Sequence, residues 1–306
     1  MGMLEAILLT VVTAATPLLL AAIGELVVER SGVLNLGVEG MMIMGAACGF
    51  AVASLSDSSA LGVLAGCLAG IGMAALFGGL TIGLAANQVA CGLALTILGL
   101  GLSGLIGESF VGHARDRLPE LHIPYLTDLP FVGELVFGQD ALVYLSFALV
   151  IGVALFLNGT RTGLLLRAVG DNHVSAHSLG YPVRLVRFLA VLFGGACAGL
   201  AGAYLSLAYT PFWATGMTAG RGWIALALVV FASWRPFRVL AGAYLFGAVT
   251  ILQFHAQGIG LGLPSQLLSA LPYIATILVL VLISAARGRG QGQAPACLGV
   301  PFVPDR

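Results

Sequence analysis

The 306-residue chain contains no lysine: all thirteen basic residues are arginine, balanced by thirteen acidic ones. Without lysine there is no Walker A loop, whose lysine reaches the phosphates of a nucleotide, and no Schiff-base chemistry. A formal net charge of zero leaves no global basic field for nucleic acid. Metal and nucleophile signatures are missing as well. No two of the five cysteines stand as C-x-x-C, and Cys48, Cys67, Cys91 and Cys197 lie in apolar runs, where they read as small buried hydrophobes. His173 and His177 stand four apart with no third ligand nearby. Neither H-E-x-x-H nor G-x-S-x-G occurs. No catalytic residue, metal or cofactor is expected.

Charge itself is scarce, at 8% of residues, against roughly 25% in soluble domains. With 59% hydrophobic residues the chain cannot cover its surface with polar groups in water, so its solvent is lipid. Apolar runs at 4–28, 33–53, 60–84, 88–107, 140–158, 188–210, 217–234, 239–257 and 265–285 predict an all-α polytopic membrane protein with about nine transmembrane helices. The first run has no basic residue before Arg30 and carries Glu5, so it reads as a retained span rather than a cleaved signal. A transmembrane domain thus covers 1–286, interrupted by a polar insert at 109–139 and an arginine-rich stretch at 159–187. The Gly/Gln/Pro-rich tail 287–306 reads as disordered.

Arginine placement sets the orientation. Residues 159–187 hold Arg161, Arg167, Arg184 and Arg187, the link 234–238 holds Arg235 and Arg238, and the tail adds Arg287 and Arg289. Even numbers of spans separate the three clusters, which puts all of them in the cytoplasm, the insert 109–139 outside and the N-terminus outside. The pairs Gly45/Gly49, Gly66/Gly70, Gly79/Gly83 and Gly195/Gly199 each place two glycines on one helix face, as close packing between helices in lipid requires.

Two stretches stand out. In residues 29–45, Asn35 and Glu39 share a face, and Gly32, Gly37 and Gly40 weaken any continuous helix. A carboxylate inside an apolar run must be capped, paired or hydrated. A broken helix at membrane depth is tolerated only where it is buried or lines a cavity. Residues 29–45 therefore read either as a broken or re-entrant element lining a solute path or as an interfacial turn anchored by Glu39. Asn87 and Arg221 are further candidates for such a path, although Arg221 equally suits snorkelling to the interface. The second stretch, 160–182, is too polar to span and too patterned for a linker. Leu164–Leu166 and Ala168–Val169 can bury, and Asp171 or Asn172 can cap a short helix through Ser178 that ends at Gly180. A short helix flanked by arginines suits docking to a soluble partner.

These stretches resemble the permease subunits of bacterial ABC importers of the branched-chain amino acid, ribose and nucleoside class, most closely nucleoside or simple-sugar permeases. The resemblance runs from about residue 15 to 285 and rests on residues 29–45, on Arg167, Ala168, Val169, Gly170, Asp171 and Asn172 with Gly180, on 198–203 and on 220–227. It implies a multi-pass protein of the bacterial plasma (inner) membrane in contact with lipid. It also implies a pore formed with a second permease subunit, a separate cytoplasmic ATPase docked on 160–182, and an extracytoplasmic solute-binding protein. The solute path is expected near Asn35, Gly37, Glu39, Gly40, Asn87 and Arg221. A branched-chain amino acid is an alternative solute in the same machinery. The competing class is an ion-coupled secondary carrier with Glu39 or Glu25 as proton site. An epitope tag at residue 120 is expected to be cleaved by an impermeant protease added to intact cells; full protection of the tag refutes the orientation.

Overall fold

The computed structural model describes residues 3–121, 133–258 and 294–303, together with the isolated positions 124, 127, 270, 271, 274, 275, 277, 278 and 281. Among these residues the chain is helical, and extended pairing is limited to three isolated bridges. Ten helices follow in order: α1 Met3–Arg30, α2 Val38–Ser56, α3 Ser59–Gly78, α4 Gln88–Gly107, α5 Ala141–Gly159, α6 Arg161–Asp171, α7 His173–Ser178, α8 Val183–Tyr204, α9 Arg221–Phe231 and α10 Pro236–Gly258. Single π-helical turns extend α3 through Gly83 and α8 through Tyr209.

Among the described residues seven helical segments are long and apolar enough to cross a bilayer: Glu5–Arg30, Val38–Ser56, Ser59–Gly83, Gln88–Phe110, Ala141–Gly159, Val183–Tyr209 and Pro236–Gln257. These confirm seven of the nine expected spans, and the described residues do not confirm the count of about nine. The run 217–234 contains only the 11-residue α9, about 16 Å long, roughly half of a 30 Å hydrocarbon layer. The rest of that crossing, residues 210–220, is bends and turns. Hydropathy reports apolar content, not backbone geometry, so it read a half-helix plus loop as one span. Two-thirds of the run 265–285 lies outside the described residues.

Helices α1, α2 and α8 form the centre, where apolar residues are buried on all sides. Around them stand α3, against α2 and α8; α4, against α2; and α5, α9 and α10, against α1. The outer faces of α3, α4 and α5 display leucines and isoleucines such as Leu68, Ile97 and Leu155, as lipid-facing surfaces do. The described arginine clusters share one end of the bundle: Arg30, Arg167, Arg235 and Arg238 line a common cavity there. At the opposite end the turn at Asp57 meets residues 108–118, where Arg115 Nη2 lies 3.2 Å from Asp57 Oδ1. The backbone amides of Arg115 and Leu118 donate to the carbonyls of Pro211 and Leu207.

Lipid supplies no hydrophobic drive between helices, so backbones must approach closely. A Cβ on Gly45 would strike the Gly199 backbone, one on Gly66 the Gly45 carbonyl, and one on Gly70 the backbones of Gly195 and Gly199. Three of the four predicted glycine pairs therefore meet one another across α2, α3 and α8. The fourth, Gly79 and Gly83, faces open space. Gly199→Ala is expected to lower stability by about 1–3 kcal/mol, as overpacking does, whereas Gly79→Ala is expected to be neutral or slightly stabilising. Thermal unfolding of the two variants in detergent compares them directly, and equal behaviour refutes the packing role.

Candidate functional site

The first feature is the break between α1 and α2. Ser31 to Gly37 leave the helix, turning at Gly32, whose φ of +87° suits only glycine. Buried backbone groups must find partners, and here they do. The Ser31 amide donates to the Val27 and Val28 carbonyls, the Leu34 amide to Gln88 Oε1 (2.8 Å), and Thr96 Oγ1 donates to the Leu36 carbonyl (3.1 Å). Asn35 is fully buried: its Oδ1 accepts from the Gly37 amide at 3.0 Å and its Nδ2 donates to Glu25 Oε2 at 3.3 Å. The irregular segment thus places Asn35 beside Glu25 of α1, and α2 starts among buried residues.

Glu39, in the first turn of α2, answers the question that its position raises. Its Oε1 accepts from Thr218 Oγ1 (2.6 Å) and the Gly220 amide (2.8 Å), and its Oε2 accepts from the Gly222 amide (2.6 Å). Gly220, at φ +81°, starts α9 and brings no side-chain cap of its own. Glu39 supplies the missing acceptor from another helix, and its negative charge faces the positive end of the α9 dipole. Gly40 lets α2 touch α4: a Cβ there would lie 2.7 Å from both the Leu95 carbonyl and Thr96 Cα. Gly37 meets the Leu95 side chain in the same way. The other candidates lie further out. Asn87 is exposed and its Oδ1 caps α4 by accepting from the Ala90 amide at 3.0 Å. Arg221 is half-buried, donates to the Met217 carbonyl at 3.0 Å and lies 5.1 Å over the Tyr209 ring.

The second feature is the arginine-rich end. Helix α6 stops at Asp171, and Asn172 leaves the helix in extended geometry to cap α7, with Oδ1 accepting from the Ser175 amide at 2.9 Å. The sequence left Asp171 and Asn172 open as the cap; it is Asn172. Gly180, at φ +85°, closes the turn. Leu166 and Val169 bury, but Leu164 and Ala168 do not; with Val174, Leu179 and Tyr181 they leave an apolar face exposed. Arg167 is half-buried and Asp171 is exposed.

What joins the two features was not legible in sequence. Gly170 packs so closely on the Arg30–Gly32 turn that a Cβ would collide with the Arg30 carbonyl. Arg187, buried inside the start of α8, donates to the Ser31 carbonyl (3.1 Å), the Val300 carbonyl (2.9 Å) and, through Nη2, His173 Nδ1 (3.0 Å). A guanidinium only donates, so this nitrogen of His173 accepts. Burial and the Arg187 charge both lower the His173 pKa, which favours that neutral ring. Part of the tail is ordered by the same cluster. Residues 294–303, expected to be disordered, bring the Cys297 amide to the Gly170 carbonyl (2.9 Å) and the Gly299 amide to the Gly32 carbonyl (3.1 Å). Phe302 sits 5.2 Å from both the His173 and His177 rings, which is where the histidine pair is engaged. The remaining tail residues, 287–293 and 304–306, lie outside the described set. On the α1 side, Trp234 Nε1 donates to Glu29 and Arg30 Nη2 donates to the Trp234 carbonyl at 2.9 Å. The spacing of Glu25 and Glu29, four apart inside an apolar run, was the available signal for these contacts.

Comparison with known proteins finds sequence relatives along nearly the whole chain. A protein of Haloferax volcanii, provisionally named a glucose ABC transporter permease, is 45% identical over 290 residues, covering 88% of each chain. The guanosine ABC transporter permease of Bacillus subtilis is 31% identical, covering 94% of this chain and 93% of its own. The nucleoside ABC transporter permease of Lactococcus lactis is 30% identical, covering 90% and 91%. The family model described as the branched-chain amino acid transport system permease component matches residues 7–284. An apolar multi-pass bundle with breaks in its interior and a folded arginine-rich end is thus a permease subunit of an ABC importer in the inner membrane, and the chain belongs to the branched-chain amino acid transport system permease family.

Proposed function

We propose that this chain forms, with a second permease subunit, the route by which a simple sugar or a nucleoside enters the cell. The energy comes from a separate cytoplasmic ATPase, and an extracytoplasmic binding protein delivers the solute. The chain itself catalyses no reaction. Relatives named for glucose and for nucleosides support the solute class, the 45% identity favouring the sugar. Both are polyhydroxylated, and the pore need only pass them, with selection left to the delivering protein.

The observation that carries the mechanism is the direct joint between the α6–α7 end and the α1–α2 break, through Gly170, Arg187 and Ser31. In this reading the ATPase binds the exposed face of α6 and α7, including Arg167, Ala168, Asp171, Asn172 and the turn at Gly180. A displacement there passes through the Gly170 contact to residues 31–37, and from Asn35 and Glu39 to the interior. Two packings of such a joint, each favoured by a different nucleotide state, give alternating access. Arg221 and Asn87 then stand at the approaches, Gly37 and Gly40 allow α2 to pivot against α4, and Val169 anchors α6 beneath.

Three outcomes are expected. The double variant Asp171→Ala, Leu179→Asp is expected to insert and fold normally yet lose co-purification with the ATPase and lose ATP-driven uptake in proteoliposomes; normal uptake counts against docking at α6–α7. Glu39→Ala leaves two buried amides without an acceptor, at about 1–3 kcal/mol each, and is expected to reduce both stability and uptake, whereas Glu39→Gln retains part of each. Wild-type uptake by Glu39→Ala removes the α9 cap from the mechanism. The chain alone in liposomes is expected to accumulate neither labelled glucose nor labelled guanosine against a gradient, and uncoupler-sensitive accumulation by it establishes a secondary carrier instead.

A further inference from the structure

At the arginine-rich end a cavity of about 680 Å³ opens between the α5–α6 corner, the end of α1 and the α9–α10 link. Among the described residues four arginines line it, Arg30, Arg167, Arg235 and Arg238, beside one acid, Asp171, and Arg30 also donates to the Trp234 carbonyl. Cations gathered in one concavity beside a partly apolar wall repel one another more strongly than in open water. Arg167 Nε is buried with no hydrogen-bond partner, and a buried donor calls for an acceptor. The rest of the described wall is mixed: Ala154, Leu157 and the amide-bearing Asn158 from α5, Trp234 from the link, and Pro236 and Phe237 from α10. Further along α5, Ile151 and Leu155 lie on the exposed face that meets lipid.

We propose that this cavity is a binding site for a phosphate group, either the headgroup of an anionic phospholipid or a free phosphate ion. Arginine forks match phosphate oxygens in geometry and charge, and several of them outweigh one carboxylate. Basic pockets between helices at the cytoplasmic surface suit anionic headgroups, and the continuity of the wall with the lipid-facing side of α5 gives the acyl chains a way out. Bound there, the phosphate ties α1, α6 and α10 together, and it neutralises charge beneath the face that α6 presents.

The test uses the purified full chain in neutral detergent and follows thermal unfolding during titration with dioctanoyl-phosphatidylglycerol, dioctanoyl-phosphatidylcholine and sodium phosphate. Stabilisation by phosphatidylglycerol but not by phosphatidylcholine is expected. If inorganic phosphate alone matches it, the ligand is the free ion; if only phosphatidylglycerol acts, it is the headgroup. The half-saturating concentration is expected to rise about tenfold or more in Arg235→Gln, Arg238→Gln, both outside the α6–α7 face. Arg235→Lys, Arg238→Lys is expected to keep most of the response, and Arg238→Gln alone provides a milder check if the double variant folds poorly. No response to either anion, an equal response to phosphatidylcholine, or an unchanged response in the glutamine variants overturns the proposal.

Discussion

A carboxylate that must be satisfied without water organises this molecule. Glu39 stands where two helices begin in the apolar interior, one its own and one distant by some 180 residues. The N-terminus of α9 has orphan amides and a positive dipole; Glu39 has oxygens and a charge. Neither is tolerable alone in hydrocarbon, and together they close. The breaks at 31–37 and 210–220 are therefore one structural event. Each makes the other affordable, and Gly222, where a Cβ would strike the Glu39 backbone, keeps the two backbones close enough for it to happen.

The surrounding bundle serves that event by being dense. Glycine faces on α2, α3 and α8 lock three helices at backbone distance, while α4 and α5 present leucine to lipid. Motion at the arginine-rich end has little to deform in the glycine-packed core. It has a ready path through Gly170 and Arg187 to the one irregular segment that α1 and α2 share.

How far the sequence reveals this depends on the kind of signal. Glu39 was legible because a lone carboxylate in an apolar run demands an explanation wherever the chain folds. Asn172 was legible as a cap candidate because capping is local. The partner of Glu39 was not: Gly220 to Trp223 reads as the start of an ordinary span, since hydropathy does not separate helical from irregular apolar backbone. Arg187 was counted with its neighbours as a surface marker of orientation, and only tertiary packing buries it. Asn87 stands out because it is polar among apolar residues, and what sequence does not show is that its Oδ1 also caps α4 by accepting from the Ala90 amide. Residues 294–303 were read from composition, and the contacts that hold them are mostly backbone hydrogen bonds, to which composition is blind.

That last segment has a bearing on how the protein is made. Gly32, Gly170 and Gly299 are synthesised far apart in time, yet their backbones are stitched into one cluster together with Arg187. The spans can enter the bilayer one after another as they emerge, but the arginine-rich end lacks its contacts with Cys297, Gly299 and Val300 until residue 300 has left the ribosome. A partially translated chain therefore carries a nearly finished bundle whose arginine-rich end still lacks its last layer of packing.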